Sequence, residues 1–431
     1  MSPDTLLRLA REYDRKGHLN EAVASYHRAA ATAEESGELR VAAEALRRLA
    51  VVHCKRQDGS AARELCKRSE RVARVAADAD LIAEALNTAG GLELMDERFD
   101  LARERFLAAG SIARSPDLQG RIEQNLATVA GGQGDFVEAL VRYQNSLAGF
   151  EAASNQAGCA VAYHNLGVAS GDLRRWADAD RYFGRCLEAL HTSGGDLHLR
   201  GLASLNHAHA LAWLGRLREA RRAAEAAAGI FEELQSPREV ADAYVALGTV
   251  LRRSGELPAA QARLRMAAEV AAVARCAASE AEARRELALA LAELGCIGDA
   301  VACMGEATVL LERAKPAGPP SGTLLLDYPA SVRAWGDLLA VLSPGAAERA
   351  EAAGTNALSV ARALGCDEPT QARVRIAGFL HALDPEWVAE GGLPWDVRSI
   401  LRDRAARQTV EAQIVALVAT GPRPASQHPS R

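Results

Sequence analysis

The chain has 431 residues, 49% apolar and 25% charged, with a formal net charge of −5. It can therefore bury a core, and it carries no bulk charge that would draw it to nucleic acid or anionic lipid. Aromatics are only 4% and alanine is plentiful, which suits closely packed helices and argues against a β-sandwich or barrel.

In chain order, a Leu- or Ala-containing pair recurs, its small partner at Ala10, Ala50, Gly90, Ala127, Gly167, Ala208, Gly248 and Ala288, with gaps of 40, 40, 37, 40, 41, 40 and 40 residues. About twelve residues after each comes an alanine, and four later a bulky residue. A fixed period of this length is the mark of stacked helical repeats. In the first unit Leu6, Leu9, Ala10 and Tyr13 share one helix face, Lys16-Gly17-His18 ends that helix, and Asn20 is a candidate cap for a second helix carrying Ala22, Tyr26, Ala29 and Ala33 inward. The third unit fills the same slots with Ala89-Gly90, Ala102 and Phe106. The fourth uses Leu126-Ala127, Ala139 and Tyr143, the fifth Leu166-Gly167, Ala179 and Phe183, and the seventh Leu247-Gly248, Ala260 and Leu264. Small residues let two helix backbones approach, and one large residue fills the gap. The second and sixth units are weaker: Gln57 replaces the turn glycine, His207 takes a leucine slot and Ala224 a bulky slot.

These L-[GA]-x2-Y, glycine-turn and A-x3-[FY] elements resemble the tetratricopeptide repeat family over residues 3–314. The usual first-helix tryptophan is absent, and the period is near 40 instead of 34. Longer helices account for the difference. The resemblance implies an all-α, right-handed superhelical α-solenoid of about eight helix pairs, able to cradle a peptide. In that family the first helix of each pair lines the groove, and the residue two before the small one points into it. Here those positions read Arg8, Arg48, Thr88, Asn125, Asn165, Asn206, Ala246 and Glu286. Family members that bind peptides use asparagine at this slot, which implies that role for Asn125, Asn165 and Asn206. An asparagine amide can both donate to and accept from an extended main chain; the alternative is a bond to the neighbouring helix. Asn87, Thr128, His164 and His209 extend a polar middle section. Arg8, Arg11, Arg47, Arg48 and Lys55 would make one end of the groove basic, and Arg252, Arg253 and Arg285 the other, which suits a partner with an acidic motif.

Other chemistry finds no support. His207 and His209 stand at i, i+2 on a helix, so their rings point to different faces and cannot share an ion. The eight cysteines are scattered without metal-ligand spacing, and free thiols fit a reducing cytoplasm. The sequence contains no phosphate-binding loop, nucleophile elbow or HExxH. The start of the chain is too charged for a signal peptide, and no apolar run reaches membrane-spanning length. No enzyme activity, cofactor, metal, nucleic-acid partner or membrane insertion is expected.

The period stops after the eighth unit. Residues 315–328, rich in Pro and Gly, read as a linker. Residues 329–418 read as a small helical C-terminal domain, with stretches near 329–342, 345–364, 369–383 and 395–416, and 419–431 as a disordered tail. Leu358–Gly365 and Val374–Pro385 resemble a helix pair of HD-type phosphohydrolases, especially the HD-GYP branch. The His-Asp doublet of that family reads His381-Ala382 here, so the resemblance implies at most a dead, truncated domain. A helical cap on the solenoid end is the other reading. Two functions follow: a cytoplasmic scaffold or adaptor that holds a protein or peptide segment in its groove, or a signalling regulator whose degenerate domain binds a nucleotide or partner under control of the repeats.

Overall fold

The computed structural model describes residues 1–193, 195–313, 330–342, 345–364 and 366–381. All regular structure among them is helical. The chain divides into two compact units, Met1–Leu214 and a second beginning at Gly215. The first unit contains α1 (Pro3–Arg15), α2 (Leu19–Ser36), α3 (Leu39–Lys55), α4 (Gly59–Val75), α5 (Ala79–Met95), α6 (Phe99–Ile112), α7 (Pro116–Gly132), α8 (Phe136–Ala152), α9 (Gln156–Asp172), α10 (Trp176–Ser193) and α11 (Leu197–Trp213). The second contains α12 (Leu217–Glu233), α13 (Pro237–Arg253), α14 (Leu257–Val273), α15 (Ala277–Glu293), α16 (Ile297–Arg313), α17 (Ala330–Leu342), α18 (Ala346–Ala363) and α19 (Glu368–Leu380). Within each unit successive helices pack as hairpins, and each hairpin packs on the next.

The period has a simple origin. Most of these helices run 17 residues, and two of them with two short turns make forty. The one short gap arises because α6 has only 14 residues. Its exit is extended at Ala113, and Asp80 accepts from the backbone N–H groups of Arg114 at 2.7 Å and Ser115 at 3.2 Å. Seven residues after every small residue the backbone turns left-handed: Gly17, Gln57, Glu97, Gly134, Arg174, Gly215, Gly255 and Gly295 all have φ between 56° and 82°. Gln57, Glu97 and Arg174 each accept a conformation that costs an L-residue roughly 1–2 kcal/mol. Hairpin packing therefore imposes the turn even where glycine is missing. The expected cap at Asn20 is displaced: α2 begins at Leu19 after His18, which leaves Asn20 inside the first turn.

The small slot is tightest where the facing residue is largest. A Cβ built on Gly90 would lie 2.6 Å from the Phe106 ring, on Gly167 2.5 Å from Phe183, and on Gly248 2.5 Å from Leu264. Phe106 and Leu264 are fully buried, as is Tyr26 in the first hairpin, each such burial contributing roughly 1.5–3 kcal/mol. In α12 the bulky slot is Ala224, and the large buried residue is instead Phe231, two turns further on.

In the second unit α17 does not stand apart. Trp335, Leu338 and Leu339 share one core with Leu287, Leu289 and Leu291 of α15, Met304 of α16 and Phe379 of α19. The linker expected at 315–328, the helix expected near 395–416 and the tail lie outside the described residues.

Candidate ligand-binding face

The first helices of the hairpins carry the expected binding residues. Asn125, Asn165, Asn206, Asn87 and His164 are half-buried, and Thr128, His209 and Arg8 are exposed. The structure brings several of them together in pairs across neighbouring helices. Asn125 Nδ2 donates to Asn87 Oδ1 at 2.9 Å, from α7 to α5. Asn206 Nδ2 lies 3.2 Å from His164 Nε2, from α11 to α9, and His164 Nδ1 lies 3.3 Å from Asn165 Oδ1. Burial pushes the His164 imidazole pKa down, so the neutral ring accepts at Nε2 and donates at Nδ1. Thr128 Oγ1 donates to the Gln124 carbonyl at 3.0 Å and sits 3.4 Å from the Tyr143 hydroxyl.

A rule emerges that sequence reasoning missed. The residue three before the small one in one repeat bonds the residue two before the small one in the next: Asn87 with Asn125, His164 with Asn206. This bond between repeats is made by Asn125 and Asn206, whereas Asn165 bonds His164 beside it on α9; each amide thus uses one of the four bonds it can make. The lateral bond fixes the rotamer, and the rest of the amide remains for a guest.

The arginines behave differently from a basic surface. Glu44 accepts from Arg47 at 2.7 Å, from Arg11 at 3.0 Å, and from Arg48. Arg47 also reaches Glu84 at 3.0 Å, and Glu84 pairs with Arg121 at 2.9 Å. This chain of ion pairs ties α1, α3, α5 and α7 along one face. Burial alone would raise the Glu44 carboxyl, but the guanidinium groups of Arg47 and Arg48 outweigh it and pull its pKa down to about 2. Lys55 pairs with Asp14 at 2.6 Å. In the second unit Arg252 pairs with Glu286 at 3.1 Å and Glu293 at 2.5 Å, and Arg285 with Glu282, Glu286 and Asp337. Most of the cations read as groove ends are thus spent on carboxylates of adjacent helices. Arg8 makes no ion pair among the described residues.

His207 sits in a helix contact, its Nε2 2.7 Å from Asp180 Oδ1 of α10 and its ring 6.4 Å from that of Phe183. Among the described residues no group of three or more His, Cys, Asp or Glu could hold a metal ion, and no helix is long and apolar enough to cross a membrane.

A family model described as a tetratricopeptide repeat matches residues 159–190, which is most of α9 and α10. No curated protein matches the chain. Among solved structures the chain is similar to the apo form of the quorum sensor NprR from B. thuringiensis, at 12% identity and a TM-score of 0.52, over 90% of this chain and 99% of that one. It is also similar to a Rap protein complexed with competence and sporulation factor (14% identity, TM-score 0.48, 79% of this chain, 97% of that one) and to BtubC from P. vanneervenii (20%, 0.46, 51% and 92%). At these identities the likeness concerns fold alone. The molecule is an all-α protein of stacked helix hairpins. Its α9–α10 hairpin matches the tetratricopeptide repeat, and the chain as a whole shares the stacked-hairpin fold of the quorum sensor NprR. The HD-type resemblance gains nothing from the comparisons.

Proposed function

We propose that this protein is a binding scaffold or adaptor that holds an extended protein or peptide segment along the first helices of the unit formed by residues 1–214. The observation that carries this reading is the row of half-buried amides at Asn125, Asn165 and Asn206, one per repeat, each oriented by a side-chain bond and each with hydrogen-bonding capacity left over. Repeats 40 and 41 residues apart place these amides at regular steps, which suits a ligand whose own donors and acceptors repeat along its backbone. The commitment of α17 to the core of the last repeats favours this role over a regulator built on a degenerate phosphohydrolase domain.

Replacing Asn125, Asn165 and Asn206 together by alanine should weaken partner binding by about 2 kcal/mol, at roughly 0.5–1.5 kcal/mol for each hydrogen bond lost. Helicity by circular dichroism should hardly change. Affinity capture from the native host with the wild-type and triple-variant proteins, followed by titration of the captured partner, reads this directly. Equal affinities would assign the amides to lateral packing alone.

A further inference from the structure

We infer that His164 sets which end of the Asn165 and Asn206 amides faces the guest, and that its protonation turns the Asn206 amide round and releases a main-chain N–H held there. His164 is thus a positioning residue that makes guest binding depend on pH. This deepens the peptide-binding reading above and rests on it.

A neutral imidazole has one N–H and one bare nitrogen. This ring touches an asparagine at each: Asn165 Oδ1 lies 3.3 Å from Nδ1, and Asn206 Nδ2 lies 3.2 Å from Nε2. Only one of the two can accept from the ring while the other donates to it, so the amides are held in opposite senses. Asn165 receives the Nδ1–H through its oxygen and keeps its NH2 group for a guest. Asn206 gives its NH2 group to Nε2 and keeps its oxygen. Among the described residues neither Asn165 Nδ2 nor Asn206 Oδ1 is a buried atom lacking a hydrogen bond, so both retain access to solvent. A donor on α9 and an acceptor on α11 suit the C=O and N–H groups of an extended main chain.

Protonation removes the bare nitrogen. The imidazolium donates at both positions, and the Asn206 NH2 group then meets an N–H. Half a turn about χ2 brings Oδ1 to the ring and restores the bond, but it presents NH2 where the oxygen stood. A guest N–H bonded at that point faces a donor and is released. Asn165, already accepting, does not change. Ionisable groups on the elements packed against α9 are engaged elsewhere: Glu123 of α7 with Arg142 of α8, Tyr143 of α8 with Thr128, and His207 of α11 with Asp180 of α10. Cys186 of α10 meets only the His164 backbone. Burial lowers the imidazole pKa against the Asn165 bond, so the change falls below the ring's ordinary 6.5.

The test uses the full chain, immobilised, and a pool of acetylated, amidated nonapeptides degenerate in alanine, serine, glutamine, valine, leucine and phenylalanine, so that only the protein titrates. Retained peptide is quantified by mass spectrometry from pH 7.5 to 4.5. Retention by the wild type should fall about tenfold, with the same midpoint as the His164 ring followed by NMR in the free protein. The side-chain amide signals of Asn206 should move at that midpoint too. His164→Gln supplies one donor and one acceptor but does not titrate. It should bind within about threefold of the wild type at pH 7.5 and lose less than about twofold on acidification. Flat retention in the wild type, an equal fall in His164→Gln, or Asn206 signals that ignore the His164 titration each overturn the switch and leave the binding face standing. Should His164→Gln fail to fold, the Asn206 signals decide alone. Retention of no peptide at pH 7.5 overturns the peptide-binding reading, and the switch with it.

Discussion

Replacing Gly167 by leucine is expected to destabilise the α9–α10 hairpin by roughly 3 kcal/mol, at the upper end of overpacking penalties. The cause is local and geometric. Even the first added carbon would stand 2.5 Å from the Phe183 ring, closer than any real contact. That ring has nowhere to go, because the rings of His164 and His207 lie 5.9 Å and 6.4 Å from it. Helix propensity pulls the other way by about 1 kcal/mol, too little to offset the clash. Since stacked repeats contact only their neighbours, the loss should be concentrated there. Hydrogen exchange should show faster opening of peptides from α9 and α10, with those from α1 and α2 unchanged. Pairing the substitution with Phe183→Ala should recover part of the loss, a coupling that two independent defects would not show. Uniform protection across the chain in the single variant would contradict the slot-for-slot packing described here.

The second large effect belongs to Glu44. Its side chain is 12% exposed and meets Arg11, Arg47 and Arg48, so Glu44→Ala strands guanidinium groups in the seam between α1, α3 and α5. Removing one partner of a buried pair costs about 3–5 kcal/mol; with Arg11 and Arg48 reaching solvent, about 3 kcal/mol is expected. The pH dependence has a definite sign. The folded carboxyl lies near 2, below its ordinary 4.5, so its stabilisation is complete above about pH 4.5 and is lost as pH falls towards 2. Denaturant midpoints at pH 7 and pH 3 should therefore separate the wild type from Glu44→Ala widely at pH 7 and less at pH 3. An equal separation at both would remove the ion-pair knot from the account.

Much of the fold is legible in the sequence because close packing has only a few solutions. Gly90 against Phe106 and Gly167 against Phe183 are visible as spacing before any coordinate is known, since a glycine and a phenylalanine 16 residues apart must be explained together. The turns are legible for the same reason, although at Gln57 the signal fails and the geometry persists. The lateral bonds were hidden. His164 and Asn206 stand 42 residues apart and Asn87 and Asn125 38 apart, and nothing local marks a histidine as the acceptor for the amide of the next repeat. In sequence the arginines read as free charge, because Glu44 and Glu84, which neutralise them, lie on the same helices among ordinary surface residues, where pairing across repeats leaves no pattern. In the C-terminal part the segments likened to an HD-type helix pair show the generic requirement of any tight hairpin: a Cβ on Gly378 would come 2.8 Å from Ala357. Trp335, alone in its helix, gave no hint that it would seat in the core of α15 and α16.

The central claim is that a guest chain lies along the first helices, and site-specific photo-crosslinking reads it most directly. A benzophenone amino acid placed at Thr128 or Val168, both exposed on first helices, is compared with the same group at Leu107 on α6 and Val141 on α8, exposed on second helices. The account predicts that the first-helix positions capture one common partner, through a single stretch of its chain, while Leu107 and Val141 capture none. Capture at Leu107 and Val141 with silence at Thr128 and Val168 would contradict it.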